Sequence, residues 1–519
     1  MLTPFRNEAL TDFTLPENRA AFEKAMVKVK AELGRELPAV INGQEIWNGE
    51  GFVSINPARP AEVVARFPKL GIEHAEQAIK AAAEAFKTWQ YVPVQERAGY
   101  ILHAAGEMRR RKQEFNAVMV LEVGKSWAEA DADTSESIDF LEYYARQALR
   151  IADSSEMLIP YPGEQNGLYY IPLGVGVVIS PWNFPNAIAT GMTAAALVTG
   201  NTVCFKPAEP SSWIAAKICE LFWESGIPLG VLNFLPGKGS VIGAHMVEHP
   251  QTRFIAFTGS KEVGLRLFEQ AGQTKPGQLW LKRTILEMGG KDAVVVDETA
   301  NLEAASVGIV QSAFGFQGQK CSAGSRAIIV DSVYEQVVGR AVELASKLTV
   351  GAPDTSAWID QGPVVDANSF KKILDYIELG TQEGKLLLGG SPMDTPDKGY
   401  FIPPTIFGDV DGNARIAQEE IFGPVLACVR ASDYDHALQI ANSTEFGLTG
   451  ALFSLNRQRL ERARREFHVG NLYFNRKCTG AMVGAHPFGG FNMSGTDSKA
   501  GGPDYLLLFT QAKLVSERL

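Results

Sequence analysis

The sequence predicts an α/β protein of two doubly wound α/β domains with an added β-stranded arm. Three observations carry this. Short, wholly apolar runs alternate with helical stretches between residues 175 and 271. A second alternation runs from residue 293 to 474, and a β-prone segment and an apolar tail stand outside both. Apolar runs without polar alternation belong to a parallel sheet covered on both faces, since a half-exposed strand would alternate. A chain of 519 residues is also too long for one hydrophobic core.

Along the chain, residues 1–40 place Phe22, Met26 and Val29 at helical spacing among charged residues, which predicts an N-terminal helical arm. Residues 73–90 put Ile79, Ala83 and Phe86 on one face of an amphipathic helix, and further helices are expected over 95–125 and 129–152. The β-prone run Gly167–Leu173 predicts a hairpin or linker strand. The first alternation then reads as strand Val175–Ile179, helix 185–199, strand Thr202–Lys206, helix 211–225, strand Val231–Leu235, helix 239–248, strand Phe254–Phe257 and helix 260–271. Its connections are short and glycine-bearing, as a nucleotide-binding domain needs. Strands Ala293–Asp297, Ala327–Val330, Pro424–Val429 and Gly470–Phe474 mark the second. The tail Tyr505–Val515 reads as one long apolar strand, an edge hazard unless another subunit covers it, so a homodimer or larger homo-oligomer is expected. Residues 1–150 and 173–285 thus form the first domain, 286–490 the second, and 151–172 with 491–519 the arm.

Composition narrows the function. The net charge is −10 and the densest basic run is Arg109-Arg110-Arg111, so nucleic acid is not an expected partner. The N-terminus lacks an apolar signal core and no segment approaches a membrane span, so neither secretion nor membrane insertion is expected. Five cysteines (Cys204, Cys219, Cys321, Cys428 and Cys478), odd in number and scattered, argue for reduced thiols in the cytoplasm. No CxxC pair occurs, and no metal is expected.

Chemistry enters at Phe314–Ser325, where Cys321 lies between Lys320 and Ser322 with Gly315, Gly318 and Gly324 nearby. Glycines let backbone approach a ligand, and a neighbouring cation favours the thiolate. Alone, the pattern fits a nucleophile and a packed core thiol equally. Gly237–Gly243 is a poor match to a dinucleotide-binding glycine pattern and fits a plain turn as well. Ser260, at the end of the fourth strand, fits either a helix N-cap or an amide-rich phosphate contact. Glu209, after the second strand, suits ribose hydroxyls and would repel a 2′-phosphate; Lys206 could approach the same ribose. Glu287 precedes a Gly-Gly turn and could activate water, while the Asn183 amide is suited to stabilising an oxyanion.

Taken together, PWNFP (181–185), FKPAEPS (205–211), FTGS (257–260), LEMGGK (286–291), GQKCSA (318–323), EEIFGPV (419–425) and PFGGFNMSG (487–495) resemble the aldehyde dehydrogenase superfamily in order and spacing, from about residue 38 to the end. The resemblance implies an aldehyde dehydrogenase-like fold with an NAD-binding first domain and a catalytic second. It implies Cys321 as nucleophile, Glu287 as the base of deacylation, and Asn183 with the Cys321 N–H as oxyanion hole. Lys206, Glu209, Ser260, Gly264, Trp182, Glu420 and Phe422 would hold the cofactor, with NAD favoured over NADP. Within the superfamily, Asn475–Gly484 and the N-terminal segment resemble the 1-pyrroline-5-carboxylate dehydrogenases. There Gly480 and Ala481 would offer N–H groups to the substrate carboxylate, helped by Ser322 and Phe184. Glu136 would line the pocket, or else lie on a helix surface.

The implied reaction is oxidation of L-glutamate γ-semialdehyde to glutamate in proline degradation. The alternatives are another carboxylated semialdehyde, such as succinate or α-aminoadipate semialdehyde, and a non-catalytic protein retaining the fold. Cys478, inside the anchor loop, is a second thiol that could lie close to the pocket; if it reaches Cys321, an inactivating disulfide could form.

Overall fold

A computed structural model describes residues 2–47, 51–152 and 158–519. Residues 153–157 of the expected arm lie outside the described residues. Two seven-stranded sheets organise the chain. In the first, Arg283–Glu287, Thr252–Thr258, Val175–Ile179, Thr202–Lys206 and Leu232–Phe234 run parallel in that spatial order. Ala39–Ile41 and Gln44–Ile46 extend it antiparallel. The chain moves outward from Val175–Ile179 to Leu232–Phe234, then returns to the other side of Val175–Ile179. That reversal opens a crevice beyond the carboxyl ends of the two central strands, the position where doubly wound sheets bind ligands. Helix Ala187–Val198, buried on all sides, covers one face.

The second sheet orders Lys385–Leu388, Thr405–Val410, Val425–Ala431, Arg326–Val330, Ala293–Val296, Thr449–Phe453 and Asn471–Phe474. All are parallel except Lys385–Leu388 at one edge. The edge strand Arg283–Glu287 leads through Gly289-Gly290 directly into Ala293–Val296, so one short turn joins the two sheets. The boundary expected after residue 285 therefore falls inside a strand of the first sheet.

Several elements depart from expectation. The N-terminal helix spans only Pro16–Lys30, and residues 35–68 form five short strands instead of a longer arm. Helix Ile72–Trp89 buries Ala75, Ala78, Ile79 and Ala82, a face rotated away from Ala83 and Phe86. The expected helix 95–125 is two, Val94–Arg110 and Lys112–Val123, broken where Arg111 leaves helical geometry (φ −102°, ψ 15°). In the tail, Tyr505–Phe509 is a 3₁₀ turn buried in the first domain's core, and only Thr510–Arg518 is a strand. That strand pairs antiparallel with Glu164–Pro172 over its whole length, leaving a largely exposed ribbon. Among the described residues no helix is long and apolar enough to cross a membrane.

Candidate active site

Four loops leave the carboxyl ends of the first sheet and meet loops that enter the second. Asn183 follows strand Val175–Ile179 and is buried; its side-chain N–H donates to the Gln319 carbonyl at 3.1 Å. One amide proton is thereby used and the other is left. Gln319 sits two residues before Cys321, so this bond ties the two sheets at the nucleophile candidate.

Cys321 is half-buried, and its backbone N–H has no acceptor among the described residues. Burial pushes its thiol well above the usual cysteine range, with Asp292, Glu287 and Glu420 adding to the rise and the Ser322 N–H opposing it. This corrects the sequence expectation for Lys320. Its ammonium is paired with Glu129 at 2.7 Å, so it does not act on the thiol.

Glu287 ends the edge strand of the first sheet, and burial pushes its carboxyl up to about 8. One oxygen accepts a hydrogen bond from the Ser498 hydroxyl, and the other has no partner among the described residues. The Gly-Gly turn after it is a steric requirement. A Cβ on Gly289 would lie 2.2 Å from a Glu420 carboxylate oxygen, and one on Gly290 would lie 2.6 Å from the Cys321 carbonyl. Glycine at both positions lets Glu420 accept the Gly290 N–H at 3.0 Å and brings the nucleophile's backbone against the turn.

The residues expected to contact the cofactor follow the carboxyl ends of strands in the first sheet or precede strand Val425–Ala431 of the second. Lys206 is buried, its ammonium bonded to the Pro207 carbonyl at 2.7 Å, and burial draws it down to about 8. The adjoining chain at Gly239 and Gly243 passes alongside its aliphatic stem. Glu209 opens a short 3₁₀ turn and is half-exposed. Ser260 caps helix Lys261–Gly272, accepting the Val263 N–H at 3.4 Å while remaining exposed. Gly264 is buried because a Cβ there would meet Met288 at 2.4 Å. Trp182 and Phe422 meet edge to face, ring centres 5.5 Å apart, with Phe422 at φ +61°. A polar crevice with a buried ammonium, a capped helix start and a carboxylate fixed on backbone fits a dinucleotide.

At the substrate side, the Arg476 guanidinium holds the carbonyls of Thr479 and Gly480 at 2.7 and 3.0 Å. Gly480 adopts φ +77°, and the N–H groups of Gly480 and Ala481 donate to nothing among the described residues. Two unused adjacent amides are the groups an anion nest would need. Phe184 stacks against Lys125, whose ammonium lies 4.2 Å from both the Phe184 and Phe316 rings. Ser322 is buried behind Cys321. Glu136 is half-buried, not a surface residue, and burial with help from Asp133 raises its carboxyl to about 8.

Cys478 lies close to the residue that follows Cys321. It is wholly buried in the second domain's core and its thiol donates to the Ser322 carbonyl at 3.4 Å, with Gly324 making room. Both Cys321 and Cys478 are free thiols, and Cys478 is a packing residue. The pair His245 and His249 lies apart, both rings on one oxygen of Glu76 at 3.3 and 3.1 Å.

Sequence reasoning missed Ser498, Asp292, the buried pair Lys125–Asp133 and the half-buried pair Lys320–Glu129. Asp133 and Glu129 share a face of helix Trp127–Ala152, a spacing that could have flagged them.

A family model, aldehyde dehydrogenase family, matches residues 47–515. The chain belongs to the aldehyde dehydrogenase family. It is similar to the 1-pyrroline-5-carboxylate dehydrogenase of Geobacillus sp. (strain WCH70), 59% identical over 521 residues covering 100% of both chains. The 1-pyrroline-5-carboxylate dehydrogenase 2 of Bacillus subtilis (strain 168) is 56% identical, again over 100% of each. Among solved structures, 1-pyrroline-5-carboxylate dehydrogenase from Thermus with bound NAD superposes with a TM-score of 0.98 at 53% identity, covering 100% of each chain.

Proposed function

We propose that this aldehyde dehydrogenase oxidises L-glutamate γ-semialdehyde, the open form of 1-pyrroline-5-carboxylate, to L-glutamate with NAD. The observation that carries this reading is the pair of unused N–H groups at Gly480 and Ala481, a place for a substrate carboxylate in a loop whose Cys478 meets the Ser322 carbonyl next to the half-buried Cys321. The relatives' names point to the same substrate.

In this reading the Cys321 thiolate attacks the aldehyde carbon, forming a carbon–sulfur bond. The free Cys321 N–H and the second Asn183 amide proton receive the resulting oxyanion. NAD, when bound, would supply the hydride acceptor, and loss of hydride from the adduct would leave a thioester on Cys321. Glu287, once ionised, takes a proton from water so that the hydroxyl oxygen attacks the thioester carbon. The carbon–sulfur bond breaks, and glutamate departs. Glu420, fixed on the Gly290 N–H, and the Trp182–Phe422 pair would hold the nicotinamide end, while Lys206, Glu209, Ser260 and Gly264 would hold the rest. Phe184, Ser322 and Glu136 complete the substrate pocket. The crevice domain, the catalytic domain and the ribbon follow the division into 1–150 with 173–285, 286–490, and 151–172 with 491–519, with the strand ending at Glu287 shared by the first. The exposed ribbon would be covered by a second copy in a homo-oligomer, and the scattered thiols suit the cytoplasm.

A steady-state comparison tests the substrate. The highest kcat/KM is expected with pyrroline-5-carboxylate and NAD; a preference for uncharged aldehydes, or for succinate semialdehyde, would overturn the assignment.

A further inference from the structure

We propose that the N-terminal segment 5–11 acts as a strap that positions the substrate-anchoring loop, with Asn7 as the positioning residue. The inference rests on the carboxylated-substrate reading above. The segment has no regular secondary structure, yet it is tied down along helix Trp127–Ala152. At its far end Thr11 gives Asp131 two hydrogen bonds, from its backbone N–H at 2.7 Å and its hydroxyl at 2.6 Å. Two turns on, Asp139 accepts the Glu8 N–H at 2.6 Å and the Asn7 side chain at 2.8 Å. Asp131 and Asp139 lie eight apart in sequence and so on one face of the helix.

Asn7 then reaches out of this footing. Its amide nitrogen carries two protons, one on Asp139 and the other on the Val483 carbonyl at 3.0 Å. Val483 follows Ala481 by two residues, so this bond reaches the end of the anion nest. Next to it, Phe5 packs edge to face on Tyr143 with ring centres 5.1 Å apart. Both rings close over Gly484, where a Cβ would lie 3.1 Å from Tyr143 and 3.2 Å from Phe5. Gly484 holds φ +79° and its N–H donates to the Gly501 carbonyl at 2.9 Å. Gly501 in turn donates to the Tyr144 hydroxyl at 2.8 Å.

One helix therefore controls the loop by two routes, through Tyr144 and Gly501 on one side and through the strap on the other. The same helix carries Glu136. The Gly480 and Ala481 amides can serve a carboxylate only if their spacing is held before substrate arrives, because ordering the loop on binding would cost affinity. Such a strap acts on recognition of the charged substrate and leaves the chemistry at Cys321 untouched.

Asn7→Ala tests this against Thr11→Val, which loosens the distant foot of the strap only. Losing one loop-positioning hydrogen bond should raise KM for glutamate semialdehyde about tenfold. The kcat, and kcat/KM for uncharged hexanal, should not change. Hydrogen exchange of the free enzyme should quicken at the hydrogen-bonded amides of Met482 and Gly484 in Asn7→Ala and stay at the wild-type rate in Thr11→Val. An unchanged KM with unchanged exchange overturns the proposal, as does an equal loss on both aldehydes, which marks a merely structural role. A wild-type enzyme that prefers hexanal overturns the substrate assignment and the strap together. A wild-type preference for the semialdehyde that Asn7→Ala leaves intact removes the strap alone.

Discussion

Ser498 offers the sharpest test of how the deacylating base is tuned. Its hydroxyl donates to Glu287, a carboxyl that burial holds at about 8. A hydrogen bond to the ionised form lowers a carboxyl's pKa, so Ser498 restrains a rise that burial drives. Removing the donor in Ser498→Ala must raise the pKa further. A hydrogen bond to a charged group contributes about 1.5–3 kcal/mol, and one pKa unit corresponds to about 1.4 kcal/mol, so the shift is about one to two units. The base form becomes scarcer at any pH below the new value. At pH 7 wild-type Glu287 is about one-tenth ionised, and the variant about ten- to a hundredfold less so.

The assay is a pH profile of kcat from pH 6 to 10, paired with rapid-mixing measurement of NADH. Hydride transfer precedes deacylation, so slowed deacylation appears as a burst of NADH followed by slow turnover. The expected variant shows a full burst and a steady rate limb moved to higher pH, its deficit closing as the pH passes the shifted value. A midpoint that stays put or falls, or an equal fractional loss at every pH, would refute the argument that Ser498 acts through the ionisation of Glu287.

Other outcomes follow from the same geometry. Cys321→Ala should give no NADH from the semialdehyde, whereas Glu287→Gln should keep the burst and lose turnover by about a hundredfold or more, both read by rapid mixing. Gly290→Ala must displace the Cys321 carbonyl, since the new Cβ would lie 2.6 Å away; kcat/KM should drop about a hundredfold while the melting temperature shows a folded protein. Glu122 is wholly buried, accepts the N–H groups of Trp213 and Ile214 that open helix Ser212–Glu224, and is pushed by burial up to about 7. Because its folded value lies above the unfolded one, the stability it contributes is complete below about 4.5 and is lost as pH rises through about 7. Glu122→Gln should flatten that limb of the Tm–pH curve while costing about 1–3 kcal/mol in urea unfolding at pH 6.

The fold was legible where the hydrophobic effect writes directly into sequence. Val175–Ile179, Thr202–Lys206 and Ala293–Val296 are apolar on both faces because helices cover both sides of their sheets. Thr449–Phe453 and Thr405–Val410 were missed although equally central, because Gly450 and Gly408 interrupt them as breakers would. Both glycines are packing devices: a Cβ on Gly450 would lie 2.5 Å from the Phe467 ring. The strands of 35–68 escaped because much of their surface stays exposed and polar. In the site, motifs located Asn183, Glu287 and Cys321, but Ser498 and Asp292 carry no local pattern. Their importance comes from which carboxylate and which thiol the fold brings beside them.

Lys320 shows why proximity in sequence misleads about charge. The residue adjacent to the thiol turns to Glu129, while three carboxyls from separate segments, Asp292, Glu287 and Glu420, act on Cys321 instead. Burial raises all three, so each resists ionising in the closed crevice, and each disfavours the thiolate once ionised. Burial and these carboxyls together hold the resting thiol toward its neutral form. A cation entering at the Glu420 end offsets the charge of these carboxylates and favours the thiolate directly. The nicotinamide ring of bound NAD would be such a cation, whereas that of NADH is neutral. On this argument thiolate formation is coupled to cofactor binding, and alkylation of Cys321 by iodoacetamide should accelerate when NAD is present. NADH, which lacks the ring's charge, should not reproduce the effect; equal acceleration by both would show that occupancy and not charge controls the thiol.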